Sequence, residues 1–280
     1  MPAPDPVFIA DPYDPRLAGY VGLTDRQLRR QIEGTAAVFV AEGPLAVEQL
    51  VASRFEVASV LVGARHLDRV RGLLAATAAP LYVTSAEVLA AVAGFNIHRG
   101  VVALGRRRPD PDFHDVLADA AASGARTMVV TEGINDHENL GAIFRNAAAF
   151  SVGAVLMDPT TADPLYRRCV RVSLGHALGV PFARLHPWPG ALAHLRAEGW
   201  TTVALTPAAG AESLDGVAGA RLRRVAVLLG AEGPGLRAET LDAADRRVRI
   251  PLAKAVDSLN VATAAAIALH HLAAGRPGEE

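Results

Sequence analysis

Three segments of the sequence combine residue types and spacings that can hold a ligand and act on it. Asn139-Leu-Gly141-Ala-Ile-Phe-Arg145 carries an amide and a guanidinium on a stretch of helical period. Leu229-Gly230-Ala-Glu232-Gly233-Pro-Gly235 follows the apolar run Val225 to Leu229 and sets a carboxylate among three glycines. Arg249-Ile250-Pro251-Leu252 closes another such run and leads to Asp257-Ser258-Leu259-Asn260. A strand ending in glycine bares backbone N–H and C=O groups to a ligand, because glycine carries no Cβ and tolerates unusual φ/ψ. Two turns of this kind in one domain can cup a small molecule. Singly, each residue has a plainer role. Arg145 lies opposite the apolar stripe Leu140, Ile143, Phe144, Ala147 and Ala148, where an arginine is usually solvated. Glu232 would complement the positive start of a following helix, and Ser258 is placed to cap the last one.

Other chemistries fare poorly. No Gly-x-Gly-x-x-Gly or Gly-x-x-x-x-Gly-Lys-Ser/Thr follows a strand, and the serine elbow Gly-x-Ser-x-Gly is missing. The histidines are scattered, and His270 and His271, being adjacent, diverge on a helix. No metal site is expected.

The elements that must position these segments alternate between strand and helix. Thr24-Asp-Arg-Gln27 has capping-box spacing and opens a helix to about Glu33. Strand-like runs then follow at Val38–Ala41, Val57–Val62, Pro80–Val83 and Gly100–Leu104, with helical runs at Pro44–Ser53, Leu67–Ala76 and Ser85–Ala93 between them. After Arg106-Arg-Arg-Pro-Asp-Pro111, which reads as a linker, a second alternation runs from Phe113 to the apolar helix Ser258–Ala274. The expected organisation is a flexible tail over 1–22, a smaller α/β domain over 23–105, a linker over 106–112, an α/β domain over 113–275 and a short tail over 276–280. Alternation of this kind predicts a mainly parallel sheet with helices on both faces, and in such sheets ligands sit at the carboxyl ends of the strands.

Composition sets the outer limits. The chain has 280 residues, 51% hydrophobic and 20% charged, enough to bury sizeable cores. A formal net charge of −1 argues against indiscriminate coating of nucleic acid. Local arginine clusters remain, at Arg26, Arg29 and Arg30, at Arg65, Arg69 and Arg71, at Arg106 to Arg108, and at Arg221, Arg223 and Arg224, while Lys254 is the sole lysine. Arginine forks onto phosphate and stacks on bases, which suits RNA, although such clusters are more often solvated faces. Cys169 stands alone, no secretory start is visible and no apolar run reaches membrane-spanning length, so a cytoplasmic protein is expected.

As an ordered set, Asn139-x-Gly141-x-x-x-Arg145-Asn-Ala, Leu229-Gly230-Ala-Glu232-Gly233-x-Gly235-Leu and Ile250-Pro251-Leu252 through Asp257-Ser258-Leu259-Asn260-Val261 resemble the three motifs of the SpoU (TrmH-like) RNA 2'-O-ribose methyltransferases of the SPOUT superfamily. The likeness covers Ala125 to Ala274 and extends forward through Phe39-Val-Ala-Glu42-Gly43 and Asn96-Ile-His98-Arg99-Gly100-Val, which resemble the L30e-like substrate-binding domain of rRNA-modifying members. The resemblance implies S-adenosyl-L-methionine as cofactor, a C-terminal trefoil knot, a homodimer and an RNA partner, with 23S rRNA favoured over tRNA. It also implies Asn139, Arg145, Glu232, Ser258 and Asn260 as the reacting site, and Thr206, Gly230, Gly233, Ile250, Leu252 and Leu259 around the cofactor. The family's usual methionine and glycine in the third motif stand here as Leu252 and Ala255.

Overall fold

The computed structural model describes residues 4–95, 97, 100–218, 222–253 and 256–274. The chain begins with β1 (Pro6–Phe8), α1 (Arg26–Ala36), β2 (Val38–Glu42), α2 (Pro44–Ala52), β3 (Val57–Gly63), α3 (Leu67–Leu73), β4 (Leu81–Thr84), α4 (Ala86–Ala93) and β5 (Val101–Arg106). It continues with α5 (Phe113–Ala122), β6 (Thr127–Glu132), α6 (His137–Ala149), β7 (Val155–Met157), α7 (Arg167–Val172), α8 (His176–Gly179), β8 (Phe182–Arg184), α9 (Leu192–Ala197) and β9 (Thr201–Leu205). The last elements are β10 (Glu212–Ser213), α10 (Leu214–Ala218), β11 (Val225–Gly230), α11 (Ala238–Ala243), β12 (Arg246–Arg249) and α12 (Val261–Ala274). No helix among the described residues is long and apolar enough to cross a membrane.

Two compact units result, Met1–Pro109 with Leu165–Gly179, and Asp110–Pro164 with Val180–Glu280. In the first, the sheet order is β1-β4-β3-β5-β2; β1, β4 and β3 run parallel, whereas β5 is antiparallel to both β3 and β2. Val40, Leu61, Val102 and Leu104 form its core with Leu89 and Val92 of α4. The opening segment, expected as a flexible tail, differs: Pro6–Phe8 pair in register with Leu81–Val83, and Leu17 and Tyr20 are buried. Its apolar residues give it enough surface to join the core, and the Tyr20 hydroxyl meets Ser59 Oγ at 2.6 Å. Asp25 rather than Thr24 caps α1, accepting from Leu28 N at 3.0 Å. Helices α7 and α8, whose residues the sequence placed within the 113–275 domain, belong instead to this unit. Arg167 donates Nε to Glu42 at 2.9 Å and Nη1 to the Leu23 carbonyl at 3.2 Å, and lies over the Phe95 ring.

The second unit holds a seven-stranded sheet in the order β10-β12-β9-β11-β6-β7-β8, with every pairing parallel. Alternation along its strands explains how both faces are covered. Met128, Val130, Ala226 and Leu228 pack with Phe113, Val116 and Leu117 of α5 and Leu192 and Leu195 of α9. The intervening Val129 and Val227 are equally buried yet stand outside that cluster, and α12 packs on β11 and α6. The mainly parallel α/β sheet expected from the sequence is therefore present. Asn96, His98, Arg99, Arg221, Lys254 and Ala255, which entered the sequence reading, lie outside the described residues.

Candidate active site

Strand β6 ends at Glu132, and Gly133 turns the chain with φ +68° toward Asp136. Asp136 caps α6, accepting from Glu138 N at 2.6 Å and Asn139 N at 3.1 Å, which fixes Asn139 in the first helical turn. Leu140, Ile143, Phe144 and Ala147 are buried, as their period predicts, and Ala148 is half-buried. Arg145 is exposed and makes no side-chain hydrogen bond or ion pair among the described residues. Asn146 Nδ2 donates to the Ala262 carbonyl at 2.8 Å and ties α6 to α12.

After β11 the chain folds back sharply. Ala231 and Gly235 form an antiparallel bridge with Gly235 N donating to Ala231 O at 2.9 Å, and Gly233 and Gly235 have φ of +86° and +72°. A Cβ on Gly230 would stand 2.2 Å from Gly235 C and Leu236 N, so the returning loop itself requires glycine there. The sequence reading assigned that glycine to ligand approach; close packing of the loop's own backbone is the observed constraint.

A cavity of about 690 Å³ opens at the carboxyl ends of β9, β11 and β12. Thr206, Gly230, Glu232, Gly233, Ile250, Leu252, Ser258, Leu259 and Asn260 all line it, together with the apolar Leu205, Leu229 and Val248. At its rim Asn260 organises the cluster. Its Nδ2 donates to Asn139 Oδ1 at 2.7 Å and to Glu232 Oε1 at 2.9 Å, while its Oδ1 accepts from Ala262 N at 2.9 Å and Thr263 N at 3.2 Å. Asn260 is thus the cap of α12, the role expected of Ser258, and the orphan amides at that helix start fix which way its side-chain amide points. Asn139, Glu232 and Asn260, more than a hundred residues apart at their extremes, are joined through one amide group. Asn139 reaches the cluster without lining the cavity, and Arg145 does neither.

Sequence reasoning missed two buried carboxylates behind this site. Asp158, fully buried, accepts from Gly133 N at 3.0 Å, Thr161 N at 2.8 Å and Thr161 Oγ1 at 2.7 Å, bracing the turn that leads to α6. Glu132, only 4% exposed, accepts from Trp188 Nε1 at 2.6 Å, Arg237 N at 2.9 Å, Arg237 Nε at 2.7 Å and Thr240 Oγ1 at 2.8 Å. Burial alone would raise the pKa of each, but for Glu132 the donors from Arg237, Trp188 and Thr240 outweigh it and hold the carboxyl below its usual range. The same balance, led after burial by Gly133 N, lowers Asp158. A charged residue closing an otherwise apolar run, as Glu132 does, was the available signal.

A nucleotide-sized cavity at the carboxyl edge of a parallel sheet, walled by glycine turns and rimmed by amide and carboxylate, defines an α/β enzyme that binds its ligand on strand-end loops. Comparison with known proteins narrows this class. Residues 126–270 match the SpoU rRNA methylase family. The chain is 46% identical over 275 residues to an uncharacterised tRNA/rRNA methyltransferase of Mycobacterium bovis, covering 95% of this chain and 94% of the relative. It is 33% identical to the 23S rRNA (guanosine-2'-O-)-methyltransferase RlmB of Bordetella pertussis, over 71% of this chain and 79% of that one. Among solved structures, the AdoMet-bound rRNA methyltransferase from Sinorhizobium meliloti superposes with a TM-score of 0.79 at 24% identity, covering 95% of this chain and 97% of the other, and that likeness bears on the fold. The chain belongs to the SpoU rRNA methylase family and is an RNA methyltransferase.

Proposed function

We propose that this protein catalyses S-adenosyl-L-methionine-dependent methylation of a ribose 2'-hydroxyl in RNA, with 23S rRNA as substrate. The observation that carries the reading is that one cavity is walled by both the second and third motif segments, with the first joined to its rim through Asn260. The names of the Bordetella pertussis relative and the Sinorhizobium meliloti structure point the same way.

The residues present suit the donor. A volume of about 690 Å³ lies in the usual range for such ligands, roughly 300–1,000 Å³. Leu205, Leu229, Val248 and Leu252 offer apolar surface for an aromatic ring, and the turns at Gly230, Ile250 and Leu259 offer peptide groups. When bound, the donor supplies an electrophilic methyl on a sulfonium. The chain's own part is alignment, which supplies much of the rate when two substrates must meet. Glu232, Asn260 and Asn139, already fixed to one another, orient the ribose at the rim, with Ser258 beside them. Arg145 is assigned the phosphate 3' to the reacting ribose. Its guanidinium cannot be deprotonated, so it acts as an anchor that stabilises developing alkoxide charge while the phosphate or a water takes the proton.

The same reading places the enzyme in the cytoplasm as a homodimer through residues 113–275. It gives that domain a trefoil knot, and gives residues 23–105 an L30e-like role in holding RNA. Ile267 on α12, 38% exposed, leaves an apolar side chain for a second copy to cover.

The test is incubation of the protein with labelled donor and unmodified 23S rRNA or tRNA, followed by mapping of 2'-O-methyl positions. Label is expected in rRNA. Arg145→Ala is expected to lose about a hundredfold in turnover, the usual effect of removing one charge-stabilising donor, with donor affinity unchanged. No donor binding overturns the reading, label in tRNA alone overturns its substrate, and a fully active Arg145→Lys overturns the fork geometry assigned to Arg145.

A further inference from the structure

The loop that carries Glu232 is held at both ends by one residue outside the cavity. Gly230, where the loop begins, pairs in register with Glu132 across β11 and β6. The loop ends at Arg237, whose main-chain N–H donates to Glu132 Oε2 at 2.9 Å and whose Nε donates to Oε1 at 2.7 Å. Two further donors reach Oε1, Thr240 Oγ1 at 2.8 Å from the first turn of α11 and Trp188 Nε1 at 2.6 Å from another segment. Between these anchors the loop has little slack, because Ala231 is bridged to Gly235 and the returning backbone fills the space over Gly230. Glu232 projects from the middle of this span and meets Asn260.

A carboxylate so deeply buried is costly unless its oxygens are satisfied, and here four donors from two segments, Arg237–Thr240 and Trp188, converge on it. Losing it would leave those donors unmatched beneath the loop. We propose that Glu132 is a positioning residue of this enzyme, whose carboxylate fixes the Gly230–Leu236 loop so that Glu232 is presented to Asn260 at the rim of the cavity. The inference rests on the functional reading above and deepens it.

Glu132→Gln keeps the shape and removes the charge. In the full chain it is expected to weaken S-adenosyl-L-methionine binding about tenfold, read by calorimetry, and to lower methyl transfer further. A role in stability alone would lower the melting temperature without touching the chemistry of Glu232, so the deciding measurement is a double-mutant cycle with Glu232→Gln. If Glu132 acts through Glu232, Glu132→Gln costs little turnover in a Glu232→Gln background, whereas the two melting shifts add. Losses that multiply in turnover, or a Glu132→Gln protein that binds and transfers like wild type, overturn the proposal. If Glu132→Gln does not fold, Arg237→Ala carries the same cycle, since that side chain is 57% exposed and its loss leaves the core intact. An unchanged affinity and turnover in Arg237→Ala would then overturn it. A wild-type protein that binds no donor overturns the functional reading itself, and a wild type that binds beside an unaffected variant overturns only the positioning role.

Discussion

The two sheets of this protein are built from the same alternation of strand and helix, yet they dispose their strand ends differently. In the first unit β5 runs against both β3 and β2, so the carboxyl ends of the strands are divided between two edges. In the second all seven strands run one way, and Leu205, Gly230, Glu132 and Arg249 close four neighbouring strands along one edge. Segments distant in sequence are brought to that edge and share a cavity. Strand direction gathers these loop-bearing strand ends along one edge in the second unit, whereas the first is a mixed layer.

The largest effects that would sharpen this contrast come from the cores. Leu61 in the first unit and Leu228 in the second are 1% and 0% exposed. Truncation of either to alanine is expected to cost about 2–5 kcal/mol in urea unfolding. Donor affinity, measured without denaturant, is expected to fall only for Leu228→Ala, whose strand supports the loop after Gly230. Equal loss of binding in both variants would break the distinction between the sheets.

A smaller effect separates two glycines. The Cβ of Gly230→Ala would press on the backbone of Gly235 and Leu236 at 2.2 Å, which cannot swing aside as a side chain can. The Cβ of Gly105→Ala would instead meet the buried Phe39 ring at 2.3 Å, opposite it in the first sheet. Overpacking of either kind costs about 1–3 kcal/mol. For Gly230→Ala that strain falls on the ligand loop, so a drop of roughly tenfold to a hundredfold in donor affinity is expected by titration calorimetry. Gly105→Ala is expected to lower the melting temperature alone.

Much of this arrangement was legible in the sequence, and what was missed follows a physical pattern. Period and length revealed β11 and α12, because a parallel sheet covered on both faces needs continuous apolar strands, and Val225 to Leu229 is one. Resemblance then joined Asn139, Glu232 and Asn260, which no spacing rule could bring together across β7 to β12. The cap of α12 was misassigned because Ser258 and Asn260 are both good caps, and only the turn before Val261 decides between them. The opening strand was lost among prolines and aspartates, since three residues carry no period and its pairing with β4 is a long-range contact. Helices α7 and α8 lie in sequence between two strands of the second unit, yet Arg167 binds Glu42 of the first, a partner more than a hundred residues away. Glu132 and Asp158 went unnoticed because, although Glu132 closes an apolar run, a sequence does not show which donors will surround a carboxylate.

The smallest expected effect contrasts two carboxylates, one from each unit. Asp14 is held to about 2 by the Arg16 side chain and then by Arg16 N–H, on the surface. Glu132 is buried, which alone would raise it, but its donors hold it below the usual range. Both are depressed in the folded state. Each therefore contributes stability that is present above the ordinary carboxylate range and is lost as pH falls through its folded value, for Asp14 between about 4 and 2. Salt distinguishes them. At about 1 M the screening length shrinks to roughly 3 Å, which weakens exposed pairs and leaves buried ones nearly untouched. Three of the four donors to Glu132 are neutral groups, the Arg237 amide, the Trp188 indole and the Thr240 hydroxyl, with little to screen. Carboxyl NMR titrations at about 0.1 M and 1 M salt should therefore move Asp14 toward its ordinary value and leave Glu132 where it was. Equal movement of the two would mean that water reaches Glu132, and that the second sheet shelters its loop anchor no better than the first shelters its surface.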